Sequence, residues 1–249
     1  MTELRCAGSG SSGNCYMVRD ENGHFLMLDC GIRIPWTDVL QCCDFRPDLI
    51  DALLVSHWHK DHLSAVKKFE RYGIEVYGSE ELQRYVFDTQ CSYINHLKER
   101  AKSDIAGDWI VVPWYVPHTD SNRNNVPCYA YYVQSPSKHR MVYITDFLYS
   151  PMKFKSLNVE TILVACNYDG DISGEESSEK YMHVITGHSS LQVVADLVEC
   201  NKTASLKNVI LCHLSRENAT PKLMINTIKE IAGNNVNVNI AEKGRTYIL

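Results

Sequence analysis

One short segment concentrates side chains that can bind a metal ion; it reads His57-Trp58-His59-Lys60-Asp61-His62. His57 and His59 are two residues apart, so both imidazoles point to the same side where the chain is extended. Asp61 and His62 follow at the turn into a helix, from which they can reach a neighbouring position. Neutral imidazoles with one carboxylate favour Zn²⁺, Mn²⁺, Fe or Ni over Ca²⁺. We therefore predict a transition-metal site here and regard a chance His-rich loop as the less favoured alternative.

Three further candidate ligands each follow an apolar strand. A single His after a strand is commonly an ordinary surface residue. However, strand ends in α/β sheets meet at one edge, where ligands usually bind, so the repeated placement favours a shared site. The three residues are His118 after Val111–Val116, Asp146 after Val142–Thr145, and His213 after Val209–Cys212.

The hydropathy pattern predicts the elements that position these residues. Ile50–Val55 is a strand that leads into the metal-binding segment, and Leu63–Tyr72 has helical spacing. Residues 80–102 are predicted as helix, with a break near Thr89-Gln90. This order predicts a layered α/β (α+β) fold with mixed sheets, and residues 1–249 are predicted to form a single domain because no internal linker stands out. The other predicted elements are the strands Phe25–Leu28, Ile74–Tyr77, Trp109–Val116 (interrupted at Pro113), Tyr129–Val133, Met141–Thr145, Thr161–Cys166 and Val209–Cys212, and helices at Leu191–Val198 and from Thr220-Pro221 onward.

Composition excludes several classes of protein. Of the 249 residues 45% are hydrophobic and 22% are charged, which argues against disorder. The net charge of −5 is unlike that of a protein whose affinity comes mainly from coating phosphates. The sequence contains no run of 18 apolar residues, so no membrane span is predicted. No signal peptide is visible. Ten cysteines without a CxxC pair favour reduced thiols in a cytoplasmic protein.

The HxHxDH pattern of the metal-binding segment, with later His, Asp and His residues at strand ends, resembles the metallo-β-lactamase fold over nearly the whole chain. That resemblance implies an αββα sandwich, two mixed β-sheets flanked by helices, with two metals at the sheet edges. It implies that Asp29, in Leu28-Asp29-Cys30-Gly31, supports the metal loop from behind. The implied ligands are His57, His59 and His118 for one metal, Asp61, His62 and His213 for the other, and Asp146 as the bridge.

A bridging Asp is similar to the pattern of hydroxyacylglutathione hydrolases and of the phosphodiesterase and nuclease branch. Gly187-His188-Ser189-Ser190 resembles the extra His motif of tRNA 3′-processing nucleases. Three stretches resemble the WalJ/YycJ subfamily: Ser9–Tyr16, Cys166–Asp169 and Cys212–Asn218. Three features depart from that subfamily: Thr119 follows the third His, Cys166 precedes Asn167, and residues 174–180 are acidic where a basic stretch is expected.

The preferred hypothesis is a metal-dependent phosphodiester hydrolase, a nuclease or exonuclease that acts on DNA or RNA through a hydroxide activated by two metals. Its cofactors would be two divalent ions, Zn or Mn. The alternative substrate is a small cyclic phosphodiester such as a cyclic nucleotide, favoured by the negative net charge and the acidic segment at 171–181. A thioester hydrolase and a binding module with a decayed site are the remaining rivals. No membrane partner is expected, and a homodimer stays open.

Within this hypothesis Asp61 and His188 are the catalytic candidates, with His188 as proton donor. Substrate contacts are expected from Ser11, Asn14 and Asn167. Core packing is the preferred role of three aromatic residues near the metal motifs, and base stacking is the alternative. The three are Trp58, Trp114 and Tyr115. Surface or structural roles are expected for His24, His96, His139 and His183, and a solvated helix face for Lys67, Lys68 and Arg71.

Overall fold

The computed structural model describes residues 1–31, 46–90, 93–170 and 187–249. Two seven-stranded sheets account for the strands within these segments. In each sheet one half is parallel and the other half is antiparallel. Both sheets are therefore mixed, as predicted. The prediction that residues 1–249 form one domain stays a prediction.

The first sheet has the strand order β14-β1-β2-β3-β4-β5-β6. Strands β3 to β6 run parallel, and the others pair antiparallel. Its strands are β1 (Glu3–Gly8), β2 (Cys15–Arg19), β3 (Phe25–Leu28), β4 (Ile50–Leu54), β5 (Glu75–Gly78), β6 (Asn95–His96) and β14 (Thr246–Ile248).

The second sheet has the order β13-β12-β11-β10-β9-β8-β7. Strands β10 to β13 run parallel, and β7 to β10 pair antiparallel. Its strands are β7 (Ser103–Ile105), β8 (Trp109–Val116), β9 (Cys128–Gln134), β10 (Arg140–Ile144), β11 (Thr161–Ala165), β12 (Asn208–Cys212) and β13 (Asn237–Ile240).

Helices cover the outer face of each sheet, and an apolar core lies between the sheets. The inner core joins residues of both sheets, among them Leu26, Tyr131 and Ile210. Two outer apolar clusters join each sheet to its helices, which makes the αββα layering. The helices are α1 (Lys60–Leu63), α2 (Val66–Arg71), α3 (Glu80–Gln90), α4 (Leu191–Asn201) and α5 (Pro221–Ala232), with short 3₁₀ turns at Pro47–Leu49, Ala106–Asp108 and Lys155–Leu157.

The structure corrects three sequence predictions. The helix predicted over 80–102 ends at Gln90, because Asn95–His96 pairs in parallel with β5 at the edge of the first sheet. The helix predicted over Leu63–Tyr72 is two short helices, α1 and α2. Pro113 does not interrupt β8: the partner strand β7 stops opposite Val111, so a missing N–H is tolerated there.

Two other predictions concern membranes and an acidic segment. No helix in the segments that the structure describes is long and apolar enough to cross a membrane. The acidic loop predicted at 171–181 and His183 lie outside the described residues.

Candidate metal centre

The metal-binding segment starts directly after β4 at the edge of the sandwich. His57 is fully buried, and its Nδ1 lies 3.0 Å from the Ser56 hydroxyl. Its Nε2 is also buried and makes no hydrogen bond within the described residues. A buried imidazole nitrogen without a hydrogen bond is costly unless another partner binds it.

One group of candidate ligands contains only histidines: His57, His59 and His118, the three-histidine group. The Nε2 of His118 lies 3.1 Å from Nδ1 of His59. Nδ1 of His118 donates to the Gly187 carbonyl at 2.8 Å, which leaves Nε2 as the free lone pair. Burial lowers the pKa of His118 to about 4 and lowers the pKa of His57 well below its usual value. These imidazoles are therefore neutral at pH 7, which is the form that binds metals.

The second group combines carboxylates with histidines: Asp61, His62, Asp146 and His213, the mixed group. Oδ2 of Asp61 lies 3.1 Å from Nε2 of His213 and 3.4 Å from Nε2 of His62. Burial opposes charge on His62, but the carboxylates of Asp61 and Asp29 outweigh it and raise the pKa of that imidazole well above its usual value. The same negative charge that attracts a proton also attracts a cation.

Asp146 belongs to the mixed group and also approaches the three-histidine group. Its Oδ2 is 3.0 Å from Nε2 of His62, 3.6 Å from Nε2 of His213 and 3.7 Å from Nε2 of His57. Although burial opposes its ionisation, the attraction of His213 and hydrogen bonds from His188 and His62 hold the pKa of Asp146 well below its usual value. An ionised carboxylate is thus available to both groups.

The donor set fits two divalent metal ions. Within each group the candidate ligand atoms all lie within 4.8 Å of one another. Imidazoles and carboxylates in these numbers suit Zn²⁺ or Mn²⁺ rather than Ca²⁺. A divalent metal ion would also give the buried Nε2 of His57 the partner that it lacks among the described residues.

Asp29 lies behind the mixed group and is fully buried. Its Oδ2 accepts hydrogen bonds from His62 Nδ1 at 2.6 Å, Tyr143 Oη at 2.6 Å and Ser56 Oγ at 2.9 Å, and its Oδ1 accepts from the Ser56 N–H at 2.7 Å. Because Nδ1 of His62 lies against this carboxylate, the proton of the neutral imidazole is held on Nδ1, and Nε2 then carries the lone pair that can bind a metal. The structure brings Asp29 to the position that the resemblance implied.

Asn14 and Asn167 were predicted to contact substrate, which stays a prediction; the structure places both beside candidate ligand residues. Asn14 is fully buried, and Asn167 is 4% exposed. Nδ2 of Asn14 lies 3.1 Å from His62 Nε2 and 3.4 Å from Asp61 Oδ2. Nδ2 of Asn167 lies 2.9 Å from Nδ1 of His213 and donates to its carbonyl, also at 2.9 Å. Both amide side chains are therefore buried in direct contact with candidate ligands.

An open cavity of about 500 Å³ adjoins both groups. Ser11 is exposed and lines this cavity, consistent with its predicted place on the substrate side. His188 also lines it, with Nδ1 3.4 Å from Oδ1 of Asp146. The lining residues are Ser11, Trp58, His59, Lys60, Asp61, Tyr85, His118, Asp120, Ser121, Asp146, His188 and His213.

Three site residues have left-handed backbone conformations, although none is glycine. The φ angles are 57° at Asp29, 41° at Asp146 and 54° at His213. Each residue directly follows a strand or comes one residue later, where the chain must turn sharply. Non-glycine residues adopt this region rarely and at a cost, and such residues cluster at functional sites.

The comparisons with known proteins agree with this geometry. The sequence model of the metallo-beta-lactamase superfamily matches residues 8–122. Among solved structures, the metallo-beta-lactamase fold protein YhfI from Bacillus subtilis superposes with a TM-score of 0.72 at 18% identity, covering 99% of this chain and 98% of that chain. The chain has the metallo-β-lactamase fold. The fold class and the family resemblance predicted from the sequence are therefore confirmed.

This metallo-β-lactamase-fold protein also has curated relatives. Exodeoxyribonuclease WalJ of Streptococcus pneumoniae serotype 2 (strain D39) is 26% identical over 229 residues, covering 86% of this chain and 82% of the relative. Anti-Pycsar protein Apyc1 of Bacillus phage BSP38 is 30% identical over 94 residues, covering 35% of this chain and 36% of the relative. The first likeness extends over most of the chain, whereas the second is local.

Several residues near the centre were not singled out from the sequence. Tyr143 and Ser56 bind Asp29, and only the general expectation that a buried Tyr hydroxyl finds a partner could have indicated the first. Tyr85 lines the cavity from α3, and no motif marks it. Trp114 is fully buried in an apolar cluster, which agrees with core packing and excludes it from the cavity.

Tyr115 lies outside the metal-centre cavity as well. It lines a separate cavity of about 430 Å³ and hydrogen-bonds Glu81. The fold therefore does not form a base-binding pocket from Trp114 and Tyr115. Lys67, Lys68 and Arg71 are exposed on α2, as predicted.

Proposed function

We infer that this protein is a metal-dependent phosphodiester hydrolase, and we propose that it is a nuclease. The observation that carries the inference is the pair of adjacent ligand groups with Asp146 between them. The 26% identity to an exodeoxyribonuclease over 229 residues supports the nuclease proposal.

When bound, two divalent cations would supply activation of a water and neutralisation of charge on the phosphoryl group. We propose that the three-histidine group holds one of them, that Asp61, His62 and His213 hold the other, and that the Asp146 carboxylate serves both. Zn²⁺ and Mn²⁺ are the proposed ions, since both accept imidazole together with carboxylate.

Proton transfer, substrate binding and orientation of the ligand residues are assigned to side chains of the protein. We propose that His188 donates a proton to the oxygen of the leaving group, because its ring lines the cavity beside Asp146. Asp61 is proposed as the second catalytic residue, since it lines the same cavity and contacts His213. Ser11 is proposed to contact the substrate. Asn14 and Asn167 are proposed to orient ligand residues.

A small cyclic phosphodiester is the second candidate substrate. The net charge of −5 supports it, because a long nucleic acid is usually bound by several cationic side chains. Among the described residues that line the cavity, Lys60 is the only Lys or Arg side chain. We also propose a cytoplasmic location, and a homodimer stays a hypothesis.

One panel of substrates tests the proposal. Protein loaded with Mn²⁺ or Zn²⁺ is incubated with single- and double-stranded DNA, RNA, a 3′,5′-cyclic nucleotide, bis(p-nitrophenyl) phosphate and a thioester. We expect cleavage of phosphodiesters and not of the thioester. Failure to hydrolyse any phosphodiester, or faster hydrolysis of the thioester, would contradict the proposal.

Two variants connect the activity to the site. Asp146→Ala should abolish cleavage, because the carboxylate contacts both ligand groups. His188→Ala should reduce turnover about 10²- to 10⁴-fold while metal content is kept. Loss of metal from His188→Ala would reassign this residue as a ligand, and near-normal turnover of Asp146→Ala would exclude it as the bridge.

A further inference from the structure

The cavity beside the metal centre carries a pair of stacked aromatic rings. The rings of Trp58 and Tyr85 have centroids 5.3 Å apart and an interplanar angle of 22°. Both residues line the same cavity of about 500 Å³ as His59, Asp61 and Asp146. The rings therefore share one space with the reacting centre.

The pair is held in place before any ligand arrives. Trp58 is half-buried and packs against the outer apolar cluster of the first sheet. It also lies between two candidate ligands, His57 and His59, in the chain. Tyr85 belongs to α3, where its neighbour Val86 is fully buried. A fixed aromatic surface loses little conformational entropy when a flat ligand binds it.

Core packing leaves part of the ring surface of Trp58 and Tyr85 exposed to the cavity. Tyr85 keeps 37% of its surface exposed, and the other cavity-lining residues are mainly polar, Lys60 and Ser121 among them. A phosphate group alone would leave much of a cavity of this size empty, since pockets of about 300–1,000 Å³ hold whole small molecules. The exposed ring surface of Tyr85 is suited to contact a flat apolar group attached to that phosphate.

We propose that Trp58 and Tyr85 form a nucleobase subsite beside the metal centre. This inference rests on the proposed function, which places the phosphodiester at the ligand groups. Every nucleobase offers a flat face to an aromatic side chain, so stacking tolerates any sequence. Such a subsite gives affinity for nucleotides that does not depend on cationic side chains, which suits a chain with a net charge of −5.

Equilibrium binding tests the subsite without requiring catalysis. Adenosine 5′-monophosphate and ribose 5-phosphate carry the same phosphate and sugar, and only the first has a base. Metal-loaded protein should bind adenosine 5′-monophosphate more tightly by about 5- to 150-fold, the range expected for stacking one base. Equal affinity for the two compounds would overturn the proposal.

Variants of α3 supply matched controls. Tyr85→Leu keeps an apolar side chain without the ring and should remove most of the preference, while Tyr85→Phe should retain it. Phe87→Leu removes a ring that is 60% exposed on the same helix but is absent from the residues that line the cavity, and it should change nothing. An equal effect of Tyr85→Leu and Phe87→Leu would reject the subsite, as would an equal loss of affinity for both compounds.

Trp58 requires a check because it lies between candidate ligands. Trp58→Leu should show the same loss of preference at unchanged metal content. If its metal content falls, the comparison rests on the Tyr85 variants, whose outcomes decide alone.

Cleavage assays then distinguish the two substrate sources. If the base belongs to a polymer, one abasic nucleotide next to the cleaved bond of a single-stranded oligonucleotide should slow wild-type cleavage and leave Tyr85→Leu unaffected. If it belongs to a cyclic nucleotide, Tyr85→Leu should raise KM for that compound more than it lowers kcat. An effect of Tyr85→Leu in neither assay would overturn the subsite. Absence of all cleavage with the binding preference intact would instead reject the proposed hydrolase activity and leave the subsite standing.

Discussion

The Tyr143 hydroxyl donates a 2.6 Å hydrogen bond to Oδ2 of Asp29, the same oxygen that accepts from His62 Nδ1. Tyr143 belongs to β10 of the second sheet, whereas Asp29 follows β3 of the first. All three side chains are fully buried. One inter-sheet hydrogen bond thus supports the carboxylate that orients a candidate metal ligand.

Tyr143→Phe should weaken metal binding while the fold is retained. Loss of a partner that orients a ligand from behind typically lowers metal affinity by about 10- to 100-fold. The measurement is competition for metal against a chelator of known affinity. Tyr131→Phe is the matched control, because Tyr131 is as buried and donates at 2.6 Å to the Val55 carbonyl instead of to Asp29. Equal metal affinity in both variants would contradict the role of Tyr143.

Gly31→Ala should prevent correct assembly of the metal-binding segment. A Cβ built on Gly31 would lie 1.6 Å from the Asp61 carbonyl oxygen, so the backbone must move. We expect a loss in the free energy of unfolding of about 3 kcal/mol or more, together with loss of metal. Gly170→Ala is the control, since its Cβ meets no atom of the described residues within 4 Å. The free energy of unfolding is measured with a denaturant for both variants, and the metal content is measured in parallel. Similar values for the two variants would show that the contact between Gly31 and the Asp61 carbonyl is not rigid.

Asn14→Ala and Ser11→Ala should affect different quantities. Asn14 is buried against the Asp61 and His62 side chains, so its loss should lower metal content and turnover together. Ser11 is exposed and lines the cavity, so its loss should raise KM at unchanged metal content. Elemental analysis combined with steady-state kinetics separates the two. If Asn14→Ala raised only KM, the substrate contact predicted from its motif would be restored.

Metal occupancy should fall in two steps as the pH decreases. A protonated imidazole cannot bind a metal. In the mixed group, burial opposes charge, but nearby carboxylates raise the pKa values of His62 and His213, so protons compete there near neutral pH. Burial lowers the pKa of His118 to about 4, so the three-histidine group should keep its ion until the pH approaches that value.

Dialysis over a pH series, followed by elemental analysis, measures these steps. His118→Ala should remove the acid-resistant equivalent and leave the acid-labile one. Loss of both equivalents in one step in the wild-type protein would show that Asp146 couples the groups too tightly for separate release.

The clustering of the candidate ligand residues was predictable because their positions obey a local rule. His118, Asp146 and His213 each follow an apolar strand, and the ends of neighbouring strands meet at one edge. Hydropathy alone located those strands to within one or two residues. The family resemblance then supplied the division into two metals, which spacing alone left open.

The features that were missed depend on distant contacts. The strand Asn95–His96 was hidden within a helical pattern, since its stability comes from pairing with β5. The substrate contacts predicted for Asn14 and Asn167 stay predictions, but the burial of both side chains beside candidate ligands depends on packing that the sequence does not display. The stacking of Trp58 on Tyr85 joins residues whose separation in the chain carries no periodic signal.

Each ligand group draws side chains from both halves of the sandwich. His57 follows β4 of the first sheet, and His118 follows β8 of the second; Asp61 and His213 are divided in the same way. An ion bound to either group would be a reversible cross-link that holds the two sheets together at one edge. Separation of the sheets would then have to wait for the ion to dissociate, so metal supply would set the protein's lifetime against proteases as well as its activity.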